Sequence, residues 1–273
     1  MSIKAKLYIE TALRHGKTFL GKSFCTQPFK IADVTEDQNQ NTLRLMLMSS
    51  SPGILDGDEY QLEINVSENS CLELLTQSYQ RLFQMKNGAV QMMNVIMGKG
   101  SSFSYLPHPS VPHAGSVFVS KNKIQMSGAC SLIWGEVMSC GRKLNGEVFK
   151  FSSYHNLTEI FLSGRLVVKE NLLIKPEKIS VGSIGQLEGS SHQATLIYIN
   201  EEVNTNELTD RLIEELNGHE DIIFGISALS VNGLIVRLLG NKAEQLFDLL
   251  KKMAFDFNAS NKKLIVKLPA YAV

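Results

Sequence analysis

The sequence predicts a mainly β protein, in which a large strand-rich body is followed by an end that contains about two helices. Three observations predict it. Apolar and polar residues alternate with period two along most of the chain to about residue 200, as in YQLEINV (60–66), and a half-buried strand requires this alternation. Gly, Ser, Asn or Pro separates the alternating segments. Helical periodicity begins only after residue 200.

The strands of the body are short and follow one another without a helical period between them. Besides residues 60–66, the segments that alternate are TLRLML, SVFVS, KIQMS, EVFKFSSY and RLVVKENLLI. This arrangement predicts a large antiparallel or solenoid-like β body. A barrel, a sandwich and a stacked solenoid all remain open, because periodicity does not separate them and no repeat of fixed period is present.

The end of the chain predicts an α-β-β-α order, and its first helix is capped by Asn206. Gly218 lies where a left-handed residue commonly ends a helix. The apolar positions of this helix are Leu208, Leu212, Ile213 and Leu216.

A hairpin and a second helix complete this end. In ISALSVNGLIVRLLG, Asn232 and Gly233 are suited to the two positive-φ positions of a type I′ turn. A second helix starts at Asn241, with Glu244 placed as in a capping box. Its apolar stripe comprises Ala243, Leu246, Phe247, Leu250, Met253, Ala254 and Phe257.

Composition excludes several classes of protein. The 273 residues include 27 basic and 27 acidic ones, and this balance argues against nonspecific nucleic-acid binding. No apolar run reaches the roughly 18 residues of a membrane span, and the first residues do not resemble a signal peptide. The four cysteines are scattered and are expected to be reduced. We therefore expect a cytoplasmic protein that binds neither membranes nor nucleic acid. Because no Pro/Gly/Ser-rich linker is present, we expect one domain over 1–273, with a body at 1–200 and the α-β-β-α end at 201–273 packed on it.

The motifs do not predict catalysis. GKTFLGKS (16–23) fits the pattern of a phosphate-binding loop, which requires a helix immediately after it. Phe24 and Cys25 are poor helix starters, and Pro28 would interrupt the first turns. No G-x-S-x-G or H-E-x-x-H motif occurs. The sequence therefore indicates that the protein is not an enzyme.

The candidate cation-contacting residues lie in three segments. SPGILDGDEY (51–60) contains Asp56 and Asp58, and IWGEVMSCGRKLNGEVFKF (133–151) contains Glu136 and Glu147. Carboxylates are oxygen ligands for cations, although charges in solvated turns are the alternative interpretation. SYLPHPSVPHAGS (104–116) contains His108 in a stretch made rigid by three prolines.

Together these motifs resemble the urease accessory protein UreD family, called UreH in some bacteria. The resemblance rests on GKTFL and PFKI, SPGILDGD, LTQSYQRLF, SYLPHPSVPHAGS, GEVMSCGRKLNGEVFKF and GISALSVNGLIVRLLG, which occur in family order over about residues 16–240. The family often has glutamine where His108 stands, so a histidine ligand there is not required by its function.

The resemblance implies a maturation chaperone, a scaffold and nickel conduit that serves apo-urease together with a UreF-type protein and a UreG-type GTPase. It implies a solenoid-like β body with a few helices, in which Gly16–Ser23 forms a β-turn and strand. No cofactor is expected to be tightly bound, and transient Ni²⁺ contact is predicted for Asp58, Glu136, Asp56, Glu147 and His108.

Two alternatives remain at this stage. One is a β-rich hydrolytic enzyme that uses Asp56, Asp58 and Glu136, which would need two carboxylates about 5–10 Å apart in a cleft. The other is a β scaffold for unrelated partners. For a scaffold, we expect an exposed apolar partner surface on the late hairpin and second helix, through Leu234, Leu238 and Phe247.

Overall fold

A computed structural model describes residues 2–37, 41–203 and 205–265, with side chains described to residue 258. Within these residues the chain forms seventeen strands and two α-helices. In chain order the strands are β1 (Lys4–Arg14), β2 (Lys17–Cys25), β3 (Phe29–Asp33), β4 (Thr42–Ser49), β5 (Glu59–Val66), β6 (Cys71–Thr76), β7 (Gln80–Leu82), β8 (Ala89–Met97), β9 (Ser102–Leu106), β10 (Ser110–Pro112), β11 (Val117–Met126), β12 (Ser131–Ser139), β13 (Ser153–Leu162), β14 (Arg165–Ile174), β15 (His192–Asn200), β16 (Ile223–Ala228) and β17 (Gly233–Gly240). The helices are α1 (Thr205–Asn217) and α2 (Ala243–Ile265), and a 3₁₀ turn covers Lys143–Asn145.

The strands form two sheets. Sheet A has the order β14-β13-β11-β8-β5-β1-β2, and sheet B has the order β16-β17-β15-β12-β9-β6-β4-β3, with the short β7 and β10 at its side. Through the middle of the chain, successive long strands alternate between the sheets, from β4 in sheet B to β5 in sheet A, then β6, β8, β9, β11, β12 and β13. The backbone therefore coils as a two-sheet solenoid, in which each coil stacks on the one before.

More strand pairs in the solenoid are parallel than the sequence indicated. The ladders β1-β5-β8-β11-β13 and β4-β6-β9-β12 are all parallel. Antiparallel pairs lie at the ends of the sheets, in β1-β2, β13-β14, β3-β4 and the late β12-β15-β17-β16 ladder. The mainly β class with two helices is confirmed, and of the architectures left open the chain adopts the solenoid. The division at residue 200 stays a prediction, although β16 and β17 continue sheet B.

Two apolar cores hold these layers together. The first lies between the sheets and includes Ile9, Leu62, Val95, Phe103 and Leu132. The second lies between the outer face of sheet B and the helices. Its members include Ile133, Leu196, Tyr198, Leu234, Leu238, Leu246, Phe247, Leu250 and Phe257.

The prediction of an exposed partner surface formed by Leu234, Leu238 and Phe247 is therefore wrong. Leu234, Leu238 and Phe247 are 1%, 0% and 7% exposed, because α2 packs against the hairpin strand and its neighbours. The apolar stripe predicted for α2 is confirmed as buried except for its first residue, Ala243, which is only partly buried. In α1, Ile213 is 39% exposed and lies off the buried stripe.

Several turns differ from their sequence signals. The β16-β17 hairpin is present, but Leu229 donates its backbone N–H to Gly233 and neither Asn232 nor Gly233 has positive φ. The loop is thus longer than a type I′ turn. Gly218 also lacks positive φ, so α1 does not end in the expected left-handed residue.

Gly135 allows sheet B to approach its helical cover closely. A Cβ at this position would lie 2.2 Å from Leu106 Cδ2 and 3.3 Å from Leu250 Cδ1 on α2. Gly141 and Gly146, which follow on the same segment, permit sharp turns instead, since both adopt positive φ.

Candidate functional site

A polar cavity of about 150 Å³ lies between the two sheets, which is room for several water molecules. Its inner end is lined by buried residues that include Tyr105, Trp134 and Tyr154. Its outer end is lined by Ser51, Pro52 and Gly53 in the loop after β4 and by Gln77–Tyr79, and the last three residues are exposed. The cavity therefore leads from the surface into the space between the sheets.

A row of polar side chains crosses sheet A along one wall of this cavity. Tyr60 on β5 pairs with Gln91 on β8, which pairs with Ser120 on β11, which pairs with Asn156 on β13. All four line the cavity, and each is less than 10% exposed. Gln80 donates from its side-chain amide to Gln91 Oε1 at 2.9 Å, which links the row to β7. The register of the stacked coils thus places one polar group per coil at the same level.

Glu136 on β12 faces this row from sheet B. Oε1 of Glu136 accepts hydrogen bonds from Trp134 Nε1 at 2.8 Å and from Thr158 Oγ1 at 3.1 Å. The Asn122 amide nitrogen lies 3.3 Å from the same oxygen, and the Asn156 amide donates to Oε2. Among the described residues that line the cavity, Glu136 alone carries a carboxylate. Burial raises its pKa, and these donors partly offset the rise by favouring the charged form.

Three tyrosine hydroxyls add to the polar lining. Burial raises the pKa of Tyr60, Tyr105 and Tyr154, and the charge of Glu136 raises it further for Tyr105 and Tyr154. These hydroxyls are therefore neutral at physiological pH. They supply oxygen atoms to the cavity without adding negative charge.

His108 lies beside the outer part of the cavity and packs as a corner residue. Its Nδ1 lies 2.9 Å from Thr76 Oγ1, and its backbone N–H donates to the same oxygen at 2.8 Å. Its ring packs in a tilted arrangement against Phe247 of α2, with 4.8 Å between the ring centroids. Burial lowers its pKa, with a smaller contribution from nearby Lys251. The stretch around it forms the end of β9, a proline corner and β10.

Asp58 is 1% exposed and does not line the cavity. Its Oδ1 accepts the backbone N–H of Ile3 at 2.9 Å. Its Oδ2 accepts the backbone N–H of Leu55 at 2.9 Å and the hydroxyl of Tyr60 at 3.2 Å. The carboxylate thus joins the start of β1 to the turn before β5, and Tyr60 connects it indirectly to the cavity wall.

Asp56 holds a neighbouring turn. Its Oδ1 accepts the backbone N–H groups of Lys86, Asn87 and Gly88 at 3.0, 2.7 and 3.1 Å. Its Oδ2 accepts the Asn87 side-chain amide at 3.1 Å. These bonds, led by the one from the Asn87 backbone, lower the pKa of Asp56. It lies outside the cavity lining, so the structure does not bring Asp56 and Asp58 into one cleft with Glu136.

Glu147 pairs with Arg142 across the loop that follows β12. Arg142 Nε donates to Glu147 Oε2 at 2.9 Å and a second nitrogen of the same guanidinium donates to Oε1. The backbone N–H of Ala114 also donates to Oε2 at 3.2 Å. The Arg142 bond lowers the pKa of Glu147 to about 2. Glu147 therefore ties this loop to the end of the proline-rich stretch and, like Asp56, lies away from the cavity.

No group of three or more His, Cys, Asp or Glu side chains that could hold a metal ion occurs in the part of the chain that the structure describes. The cavity instead offers one carboxylate among hydroxyl and amide groups. Of the predicted residues, it brings together Glu136 and His108 along its lining. The sequence interpretation missed the amide lining of the cavity, above all Asn122 and Asn156, and the Thr158 hydroxyl that donates to Glu136.

Gly16–Ser23 forms a turn and a strand, in agreement with what the resemblance implied. His15 and Gly16 have positive φ between β1 and β2, and Lys17–Cys25 is extended. The helix that a phosphate-binding loop requires is therefore replaced by strand β2. Neither helix, over its described residues, is long and apolar enough to cross a membrane.

Comparison with known proteins agrees with this architecture. The family model described as UreD urease accessory protein matches residues 4–263. A urease accessory protein UreD from Flavobacterium johnsoniae is 48% identical over 263 residues, covering 96% of this chain and 95% of the relative. Proteins of the same name from Acetivibrio thermocellus and Actinobacillus pleuropneumoniae serotype 5b are each 35% identical. They cover 91% and 92% of this chain and 95% and 96% of their own lengths.

The fold and the cavity define a two-sheet β-solenoid scaffold with a polar compartment between its sheets and helices over one sheet. Similarity extends along nearly the whole chain and lies well above the level at which only a fold is shared. The chain belongs to the UreD family of urease accessory proteins.

Proposed function

We propose that the chain is a maturation chaperone that acts as a scaffold and nickel conduit for apo-urease, with UreF- and UreG-type partners. Family membership supports the connection to urease. The observation that carries the conduit is the polar cavity, which leads inward from exposed residues Gln77–Tyr79 to the carboxylate of Glu136 between the two sheets. We place this activity in the cytoplasm, with nickel held transiently rather than as a bound cofactor.

The composition of the cavity suits a cation that must enter and leave. A cation inside a protein suffers a large desolvation cost unless polar groups or water replace its hydration shell. Oxygen and amide groups from both sheets supply such replacement, and Glu136 supplies one negative charge. A single carboxylate attracts a cation without forming the closed set of ligands that retains one.

The contacts favour this role over hydrolysis. Two carboxylates that face one cleft are what glycoside hydrolysis requires. Asp56 and Asp58 instead accept hydrogen bonds from backbone N–H groups, and neither lines the cavity with Glu136. Because Lys17–Cys25 is a strand, nucleotide binding in this proposal belongs to the GTPase partner.

Co-expression with apo-urease and the two partner types, followed by pull-down and nickel counting, tests the proposal. Glu136→Gln should leave urease in the pulled-down complex and lower nickel per urease several-fold, because the charge of the Glu136 carboxylate is lost from the cavity. Glu63→Gln is the matched control, since it is the same chemical change at an exposed position of β5. Wild-type nickel loading with Glu136→Gln would contradict the conduit.

A further inference from the structure

The two oxygens of Glu136 have different surroundings. Trp134 and Thr158 donate to Oε1 at 2.8 and 3.1 Å, and the Asn122 amide nitrogen lies 3.3 Å from the same oxygen. Oε2 has one donor among the described residues, the side-chain amide of Asn156. A carboxylate oxygen offers about two acceptor sites. Oε1 is therefore fully used by the protein, whereas Oε2 keeps one acceptor site available.

Asn156 is itself held in place. Its Oδ1 accepts the Asn122 amide at 3.1 Å, and the same Asn122 nitrogen lies 3.0 Å from Thr158 Oγ1. Asn122 and Asn156 are 5% and 7% exposed, and both line the cavity. Because a carboxylate only accepts, the NH₂ group of Asn156 must face Glu136 and its oxygen must face Asn122. The orientation of Asn156 is therefore fixed from both sides.

We propose that Asn156 is a positioning residue that restricts Glu136 to a single-oxygen, readily released contact with a divalent cation. This inference rests on the proposed function, because it specifies how the cavity handles its cation. The amide occupies part of Oε2 and contributes no charge. An aspartate of the same shape would instead place a second carboxylate against Oε2, and two such groups hold a divalent cation between them. Asparagine at position 156 thus prevents the cavity from retaining the cation that it must release.

The test uses the co-expressed complex with apo-urease and measures two quantities for each variant. One is nickel per urease, and the other is the affinity of the purified accessory complex for Ni²⁺ alone, by competition with a chelating dye. Asn156→Asp should bind Ni²⁺ about tenfold more tightly, a change of about 1.4 kcal/mol, and should lower nickel per urease several-fold. Asn156→Leu should lower nickel per urease without tighter binding. Thr195→Val on the neighbouring strand, at a residue that is also buried, is the control and should change neither quantity.

A charge exchange provides the second variant. Glu136→Gln combined with Asn156→Asp restores one carboxylate opposite one amide, with the shapes of both side chains retained. It should load urease better than Glu136→Gln alone and should not bind Ni²⁺ more tightly than wild type. This comparison remains informative if Asn156→Asp alone does not fold.

The outcomes separate the inference from the proposed function. If Glu136→Gln lowers loading but Asn156→Asp binds and delivers Ni²⁺ like wild type, the positioning role is overturned and the conduit stands. The positioning role is also overturned if the double variant, Glu136→Gln with Asn156→Asp, loads urease with no more nickel than Glu136→Gln alone. If Glu136→Gln loads urease like wild type, both proposals fail.

Discussion

Replacing Asp58 with asparagine should destabilise the protein, because its carboxylate satisfies three donors in a nearly closed environment. Asp58 accepts the backbone N–H groups of Ile3 and Leu55 and the hydroxyl of Tyr60, and it is 1% exposed. Asparagine has nearly the same shape but offers one oxygen and one NH₂ group. Whichever way it turns, the NH₂ group faces at least one donor.

The cost follows from the number of donors left without an acceptor. If the NH₂ group faces Ile3, one backbone donor is orphaned; if it faces the other side, Leu55 loses its acceptor and Tyr60 must reorient. Each buried donor without a partner costs about 1–3 kcal/mol, and hydrogen bonds to charged groups are the stronger ones. We therefore expect a loss of about 2–4 kcal/mol. At roughly 2–4 °C per kcal/mol for chains of this size, Tm should fall by about 4–16 °C.

Thermal unfolding followed by circular dichroism checks this result, with nickel per urease counted from the same cells. Glu63→Gln, an exposed carboxylate on the same strand region, should leave Tm within about 1 °C of wild type. The sequence predicted that Asp58 contacts nickel, and this experiment decides between that role and the structural one. An unchanged Tm together with reduced nickel loading would refute the structural account and make Asp58 a cation contact.

Two histidine predictions complement this one. Burial, together with Lys143, lowers the pKa of His192 to about 4 from 6.5, so the unfolded chain binds a proton before the folded one as pH falls between these values. The titration of His192 should therefore lower the free energy of unfolding by about 2–3 kcal/mol between pH 7 and pH 4. In urea unfolding measured across that pH range, His192→Gln should make the free energy of unfolding less dependent on pH. The same pH dependence in wild type and variant would contradict this prediction. His108→Gln should leave nickel per urease within about twofold of wild type in the co-expression assay, because His108 is bonded to Thr76 and packed on α2. A severe loss of nickel with the complex intact would instead make His108 a ligand.

The sequence predicted the strands and helices well, because each has a local signal. The direction in which neighbouring strands pair has no such signal. Parallel strands are usually covered on both faces and are continuously apolar. In this solenoid each parallel strand of sheet A has one face in the core and the other outside, as in β8, where Gln91 and Met93 face inward and Asn94 faces outward. The strands therefore alternate as antiparallel strands do. The long crossover that parallel pairing requires is present as a strand of the other sheet rather than as a helix.

The site was predicted less completely because its contacts join different coils. Glu136 was singled out beside Trp134, yet its other donors lie 14, 20 and 22 residues away on β11 and β13. A signal for them was present in the strands themselves, since Asn122, Asn156 and Thr158 occupy positions of the alternation that otherwise carry apolar residues facing the core. One polar residue at an apolar position is easily tolerated when it is hydrogen-bonded. Such residues in successive coils of a solenoid lie at one level, because parallel register aligns them. The expected consequence is a polar cavity at that level, and here the only carboxylate among the described lining residues stands opposite it.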